Sequence, residues 1–180
     1  MSEFRKVSER HVAGGRVISF AVGTFESPEG QQFERELVRH PGAVVVVPLV
    51  GDDAVLLVRQ FRAAVEQDLL ELPAGKRDVP GEPTEVTAAR ELEEEVGRKA
   101  GRIELLGRFY NSPGFSDEFS WCYLARDLVE VDNDLQGVEE QYLTVEQVAL
   151  DDINRMVVEG AILDGKTIIG LELALRHLGR

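Results

Sequence analysis

The stretch GKRDVPGEPTEVTAARELEEEVG carries four glutamates within five positions, directly after Arg90. On a helix that turns about 100° per residue, Glu91, Glu94 and Glu95 share one face within an arc of about 100°. Like charges this close repel one another and reduce the stability of the helix. Carboxylate oxygens are ligands that Mg²⁺ and Mn²⁺ prefer. The spacing therefore indicates a divalent-metal site, where bound cations would relieve the repulsion.

The residues around these carboxylates are consistent with that interpretation. Arg90 stands four residues before Glu94, so it can hold that carboxylate and offset part of the repulsion. The preceding loop, 75–83, is rich in Gly and Pro, which lets backbone approach a metal closely. Glu93 lies on neither face and is expected to be solvated. The alternative is a solvated acidic helix face, which is the common meaning of a charge run.

A mixed sheet with helices on its faces is predicted to position this helix. The helix is expected from Pro83 to Val96, with an apolar stripe toward the core and a stop at Gly97. Runs rich in β-branched, aliphatic and aromatic residues predict the strands. These runs are 17–25, 33–38, 43–50, 54–61, 102–110 and 119–128. Helices are predicted at 144–162 and 165–179, which completes an α/β (α+β) pattern.

Composition limits the possible functions. The length of 180 residues favours one domain, and a net charge of −13 argues against a nucleic-acid partner. That charge fits a site that recruits cations to reach an anionic substrate, although solubility alone would also explain it. Cys122 is the one cysteine, so no internal disulfide is possible. The first residues do not form a secretory signal and no apolar run approaches about 18 residues, which predicts no membrane span and a cytoplasmic protein.

The spacing of the acidic stretch resembles the Nudix box of the Nudix hydrolase superfamily. Eight positions match, and the loop between Gly75 and Glu82 is one residue longer than in the family pattern. Arg98 also stands where the family pattern has an apolar residue. The resemblance implies a Nudix-type α/β/α sandwich around a mixed β-sheet, with N-terminal antiparallel strands. It also implies hydrolysis of a nucleoside diphosphate linked to another group.

The same resemblance implies roles for individual residues. Mg²⁺ or Mn²⁺ is the expected cofactor, and Glu95 and Arg90 are counted among the catalytic residues. Glu82 supports the site, and Gly75 and Gly97 have structural roles in the motif. The implied metal ligands are the Ala74 carbonyl, Glu91, Glu94 and Glu95.

Three further segments are similar to the ADP-ribose pyrophosphatase branch of the superfamily. They are DLLELPAGK, NSPGFSDE and EGAILDGKTIIGLELAL, and the resemblance runs from about Val38 to about Leu175. Pro113 lies 16 residues beyond Gly97, close to where that branch places a proline. The implied reaction converts ADP-ribose to AMP and ribose 5-phosphate. Rival substrates are a nucleotide sugar, a dinucleoside polyphosphate, NADH or an oxidised nucleotide, and a non-catalytic ligand sensor is a rival of another class.

The remaining candidates for catalysis and substrate binding lie outside the Nudix box. Glu139 and Glu140 in GVEEQ are candidates for the general base, with Glu139 preferred; an acidic surface loop is the alternative. Arg62 is expected at the diphosphate, because guanidinium geometry suits phosphate oxygens, and Arg35 is a weaker candidate. Glu118 is expected to hydrogen-bond a ribose hydroxyl. Either arginine could equally form a surface ion pair.

The branch also implies an assembly. Its members are typically homodimers that exchange N-terminal strands, which here correspond to 16–39. Accordingly, 1–180 is expected to form one Nudix domain, in which about 1–40 serves dimerisation and about 41–180 forms the catalytic core.

Overall fold

A computed structural model of the protein describes residues 3–132 and 140–180, with Glu140 described through its backbone only. The strands are β1 Arg5–Gly14, β2 Ser19–Glu26, β3 Gln32–Arg39, β4 Ala43–Val50, β5 Ala54–Arg62, β6 Gln67–Glu71, β7 Ala74–Lys76, β8 Arg98–Tyr110, β9 Phe119–Glu130 and β10 Thr144–Ala149. The α-helices are α1 Thr84–Val96, α2 Ile153–Val158 and α3 Gly165–His177. None of the helices within these ranges is both long and apolar enough to cross a membrane.

The first of two compact units comprises Met1–Gly42 and Phe109–Phe119. Its three strands form an antiparallel sheet in the order β1-β2-β3. The segment after β8 joins β3, since the Val38 N–H donates to the Phe115 carbonyl at 2.7 Å. Strand β1 was not predicted, because its polar sequence RKVSERHVAG has no apolar pattern and the strand is exposed along its whole length.

The second unit comprises Ala43–Arg108 and Ser120–Arg180 and holds a seven-stranded sheet. The strand order is β10-β5-β4-β9-β8, with β6 paired to β5 and β7 paired to β4. Strand β4 runs parallel to β9 and antiparallel to β5 and β7. The predicted mixed sheet is therefore confirmed.

Helices cover both faces of this sheet because β4 is apolar on both. Val44 and Val46 lie in a core cluster with Ala88 and Leu92 of α1. Val47 points to the opposite face, where it lies near Gly170 of α3. A helix on each face gives the predicted α/β/α sandwich, and the predicted helix at the end of the chain is confirmed as α3.

The helix predicted for 144–162 is wrong over its first third. Thr144–Ala149 forms strand β10, which pairs antiparallel with β5 from Thr144 opposite Arg59 to Ala149 opposite Ala54. The β-branched residues in TVEQVA favour this extended form, and pairing satisfies the open edge of β5. Helix α2 occupies only Ile153–Val158.

Candidate active site

Helix α1 carries the predicted carboxylates and has recognisable ends. It follows Pro83, whose extended backbone precedes the first turn, and Glu85 in that turn is favourable to the helix dipole. It ends at Gly97, which adopts the left-handed conformation with φ 63° and donates its N–H to the Glu93 carbonyl at 3.1 Å. The predicted helix and its stop at glycine are confirmed.

Two of the carboxylates on α1 are buried against strand β7. Glu91 is 9% exposed and Glu95, one turn later, is 5% exposed. The Ala74 N–H donates to Glu95 Oε2 at 3.1 Å. The Glu91 carboxyl lies where a side chain at position 75 would stand, because a Cβ added to Gly75 would overlap it. The structure thus brings together Ala74, Gly75, Glu91 and Glu95, and the role of Ala74, Glu91 and Glu95 as metal ligands stays a prediction.

Arg90 links the carboxylates on the exposed side of this group. Its Nη1 lies 3.0 Å from Glu91 Oε1 and 3.0 Å from Glu94 Oε2. Its Nη2 lies 3.5 Å from Glu82 Oε2, which also accepts from Thr87 Oγ1 at 2.8 Å. The predicted contact between Arg90 and Glu94 is present, and Glu82 braces Arg90 from the start of the helix.

The donors present fit a divalent cation. Carboxylates and a backbone carbonyl are hard oxygen ligands of the type that Mg²⁺ and Mn²⁺ take. Within residues 3–132 and 140–180, no three acidic, His or Cys side chains already form a coordination set. The Arg90 guanidinium lies 3.0 Å from both the Glu91 and the Glu94 carboxylates. A cation would have to replace this guanidinium as the counter-charge, and Gly75 leaves the Glu91 carboxyl room beside the backbone.

Burial makes Glu91 a titratable group near neutrality. Loss of hydration raises its pKa to about 7, Arg90 opposes the rise, and the charges of Glu94 and Asp78 add to it. A cation bound at this carboxylate would therefore have to compete with a proton.

Arg62, at the end of β5, is held by a carboxylate that the sequence reasoning missed. Its Nε donates to Glu71 Oε1 at 2.7 Å and its Nη2 to Glu71 Oε2 at 2.5 Å. This bidentate bond raises the pKa of Arg62, and the charge of Glu95 on α1 acts in the same direction. Among the described residues Nη1 makes no hydrogen bond, and the Arg62 side chain is 38% exposed. The sequence does carry a signal for Glu71, because it is a single acid inside the apolar run LLELP. A buried charge is rare unless it is paired, so an acid in such a run indicates a cationic partner.

The other predicted contacts lie in the first unit or outside the described residues. Arg35 stacks on the Phe33 ring at 4.6 Å and donates to the Glu34 carbonyl at 2.8 Å. The Glu118 carboxylate lies 4.0 Å from His40 Nε2. Their roles toward a substrate stay predictions. Glu139 lies outside the described residues, as does the side chain of Glu140, so the general base also stays a prediction.

Comparison with known proteins identifies the class. The NUDIX domain family matches residues 38–161, and the chain belongs to the Nudix hydrolase family. Nudix hydrolases act on small nucleotide substrates and generally use divalent metal ions. The membership predicted from the acidic stretch is confirmed.

Individual relatives cover almost the whole chain. The "Methanol dehydrogenase activator" of Bacillus methanolicus is 37% identical over 180 residues, which span 97% of each chain. The "ADP-ribose pyrophosphatase" of Bacillus subtilis (strain 168) is 35% identical over 170 residues, 94% of this chain and 91% of the relative. A solved "ADP compounds hydrolase" matches with a TM-score of 0.85 at 23% identity, covering 99% and 96% of the two chains, which supports the fold.

Proposed function

We propose that this Nudix hydrolase cleaves the diphosphate of ADP-ribose to AMP and ribose 5-phosphate, with Mg²⁺ or Mn²⁺ as cofactor. The observation that carries the proposal is the pair of buried carboxylates, Glu91 and Glu95, held against the backbone of Ala74 and Gly75. Burying two acids on adjacent turns is unfavourable unless a cation compensates them. The name of the Bacillus subtilis relative supports ADP-ribose as the substrate.

The proposed cation ligands are Glu91, Glu94, Glu95 and the Ala74 carbonyl. When bound, a divalent ion there would neutralise the diphosphate and lower the pKa of the attacking water. Arg90 keeps the carboxylates in position until then, because it already contacts both Glu91 and Glu94. Glu82 and Thr87 hold Arg90 from the other side.

The reaction breaks one phosphoanhydride bond. The water oxygen bonds to one phosphorus, the bond from that phosphorus to the bridging oxygen breaks, and the leaving phosphate keeps the electron pair. Glu139, or alternatively Glu140, takes the proton from water, as predicted from the sequence. Arg62 contributes its guanidinium to the diphosphate oxygens, for which its geometry is suited. Arg35 and Glu118 are proposed to contact the rest of the substrate, with Glu118 at a ribose hydroxyl.

A substrate panel tests this proposal. ADP-ribose, a nucleotide sugar, NADH, a dinucleoside polyphosphate and a nucleoside triphosphate are each incubated with and without Mg²⁺, and products are separated by chromatography. AMP release that requires the metal and is fastest from ADP-ribose is the expected result. Preference for another member of the panel would show that the proposed substrate is wrong, while the assignment as a hydrolase would stand. Binding of ADP-ribose without turnover of any compound would indicate a sensor.

We also propose that the protein is a homodimer that uses its N-terminal strands. Several apolar side chains of the first unit are exposed in the single chain, which supports an interface there. They are Phe4, Val7, Val12, Val17 and Ile18. A single Nudix domain over 1–180 and a cytoplasmic location stay predictions from the sequence.

A further inference from the structure

We infer that Glu71 and Lys166 are positioning residues that set the orientation and available charge of Arg62 toward the substrate diphosphate. The inference deepens the proposed function and rests on its assignment of Arg62 to the diphosphate. Lys166 acts through Glu71 and is not expected to touch the substrate.

Glu71 receives two cations from different parts of the fold. Arg62 on β5 bonds both carboxylate oxygens, as described above, and Lys166 Nζ on α3 lies 2.5 Å from Glu71 Oε2. The Glu71 side chain is 1% exposed and that of Lys166 is 15% exposed. Lys166 Nζ also lies 2.9 Å from Asp164 Oδ2. The result is a partly buried network of two acids and two bases, which has the buried Glu71 at its centre and ends at Arg62.

Anchoring helix α3 does not require Lys166. Asp164 accepts from the Thr167 N–H at 2.9 Å and from Thr167 Oγ1 at 2.6 Å, which caps the helix. Thr167 Oγ1 in turn accepts from the Leu72 N–H at 2.9 Å, which fastens the helix to the segment after β6. A cation in the first turn of a helix is also disfavoured by the helix dipole. Lys166 therefore needs another explanation, and its contact with Glu71 supplies one.

Burying the Glu71 carboxylate among ion pairs is an inefficient way to gain stability. Taking a charge out of water is unfavourable even when the charge is paired, and apolar side chains of similar volume often stabilise a protein as well. What the network provides is orientation, because the bidentate bond fixes the Arg62 guanidinium and leaves its Nη1 edge without a described partner. Lys166, the second cation on Glu71, also matters. If Glu71 were paired with Arg62 alone, it would neutralise more of the positive charge that Arg62 presents to an anionic substrate.

Removing the charge of Lys166 is therefore expected to weaken substrate binding. In Lys166→Met, KM for ADP-ribose is expected to rise about tenfold, the scale of a hydrogen bond to a charged group, while kcat changes less than about threefold. Lys166→Arg keeps the charge and is expected to restore KM to within about threefold of the wild-type value. Lys99→Met, which removes an exposed lysine on β8, is the matched control and is expected to leave both constants unchanged.

The decisive test is a double-mutant cycle with Arg62→Met. If Lys166 acts through Arg62, Lys166→Met is expected to change KM less than about twofold when Arg62 is already absent. Additive effects on KM, or a lower thermal unfolding temperature with unchanged KM, would overturn the inference and leave a structural role. The thermal unfolding transition of every variant is measured, so that only folded proteins are compared.

Failure of the proposed function would look different. If the wild type hydrolyses another member of the panel in preference to ADP-ribose, the proposed substrate is wrong and the cycle is measured on that compound. If no member is hydrolysed, the proposed reaction is wrong and the same cycle is measured as the Kd of ADP-ribose by calorimetry. Additivity in either setting overturns the role of Lys166, and absence of both turnover and binding overturns both proposals.

Discussion

Glu91 is both buried and ionisable, and its burial opposes its ionisation. Burial raises its pKa from 4.5 to about 7, so the folded chain binds a proton at this position more tightly than the unfolded chain. A raised pKa contributes stability that is fully present below pH 4.5 and is lost as pH rises through about 7. A shift of this size corresponds to on the order of 3 kcal/mol.

This linkage makes the stability of the protein depend on pH. Without divalent ions, the wild type is expected to lose unfolding free energy relative to Glu91→Gln between pH 5 and pH 8, because only the wild type must ionise a buried acid. Denaturant unfolding of both proteins across this range measures the difference. Adding Mg²⁺ at pH 8 is expected to stabilise the wild type more than the variant. Parallel pH curves for the two proteins would contradict the assignment.

Glu95→Gln tests the proposed metal site with little disturbance of the fold. The amide oxygen of Gln can still accept the Ala74 N–H, so the thermal unfolding temperature is expected to change little. Loss of the charge is expected to reduce kcat at least about a hundredfold if the residue holds the cation. Glu93→Gln, on the same helix, is the control and is expected to keep kcat within about threefold. Wild-type turnover in Glu95→Gln would show that this carboxylate is not a ligand.

Helix α1 and strand β7 together carry the proposed metal site, and Gly75 permits their close approach. A Cβ at this position would overlap the Glu91 carboxyl, which lies beside the strand. Gly75→Ala is therefore expected to displace Glu91 and weaken Mg²⁺ binding and turnover by more than about tenfold. Gly15→Ala is the control, because a Cβ there meets only the Ile18 carbonyl at 3.6 Å. Titration with Mg²⁺ under turnover conditions measures both effects, and equal behaviour of the two variants would contradict the expectation.

The elements that could be predicted from sequence are those with strong local signals. Helix α1 has an apolar stripe and a glycine stop, and β4 has an unbroken apolar run, so both were placed correctly. Strand β10 was missed because TVEQVA has too few apolar residues to separate a strand period from a helical one. The contact between Glu71 and Lys166 could not be predicted, since 95 residues separate them and only the fold joins β6 to α3.

The net charge of −13 has a consequence for the whole molecule. An acidic protein repels an anionic substrate at long range, so we expect the proposed cations and Arg62 to provide the local attraction. The substrate is then expected to bind more weakly at low than at moderate Mg²⁺ concentration. This long-range effect cannot be assigned to one residue.

The oligomeric state is a property of the whole molecule that can be tested directly. We expect sedimentation equilibrium to give twice the 20.0-kDa chain mass. Val7 and Val12 on β1 are 42% and 44% exposed and have no partner position in the β1–β2 register, so acidic residues there disturb no described pairing. The double variant Val7→Glu/Val12→Glu is expected to shift the protein toward monomer, because two charges would be buried at the proposed interface.

The matched control is Val129→Glu/Val158→Glu, which makes the same chemical change at two exposed positions of the second unit. This control is expected to keep the wild-type mass. A monomeric wild type would overturn the proposed dimer itself. If the wild type is a dimer and both double variants remain dimeric, the interface lies away from β1. If both double variants dissociate, the added charge alone is responsible.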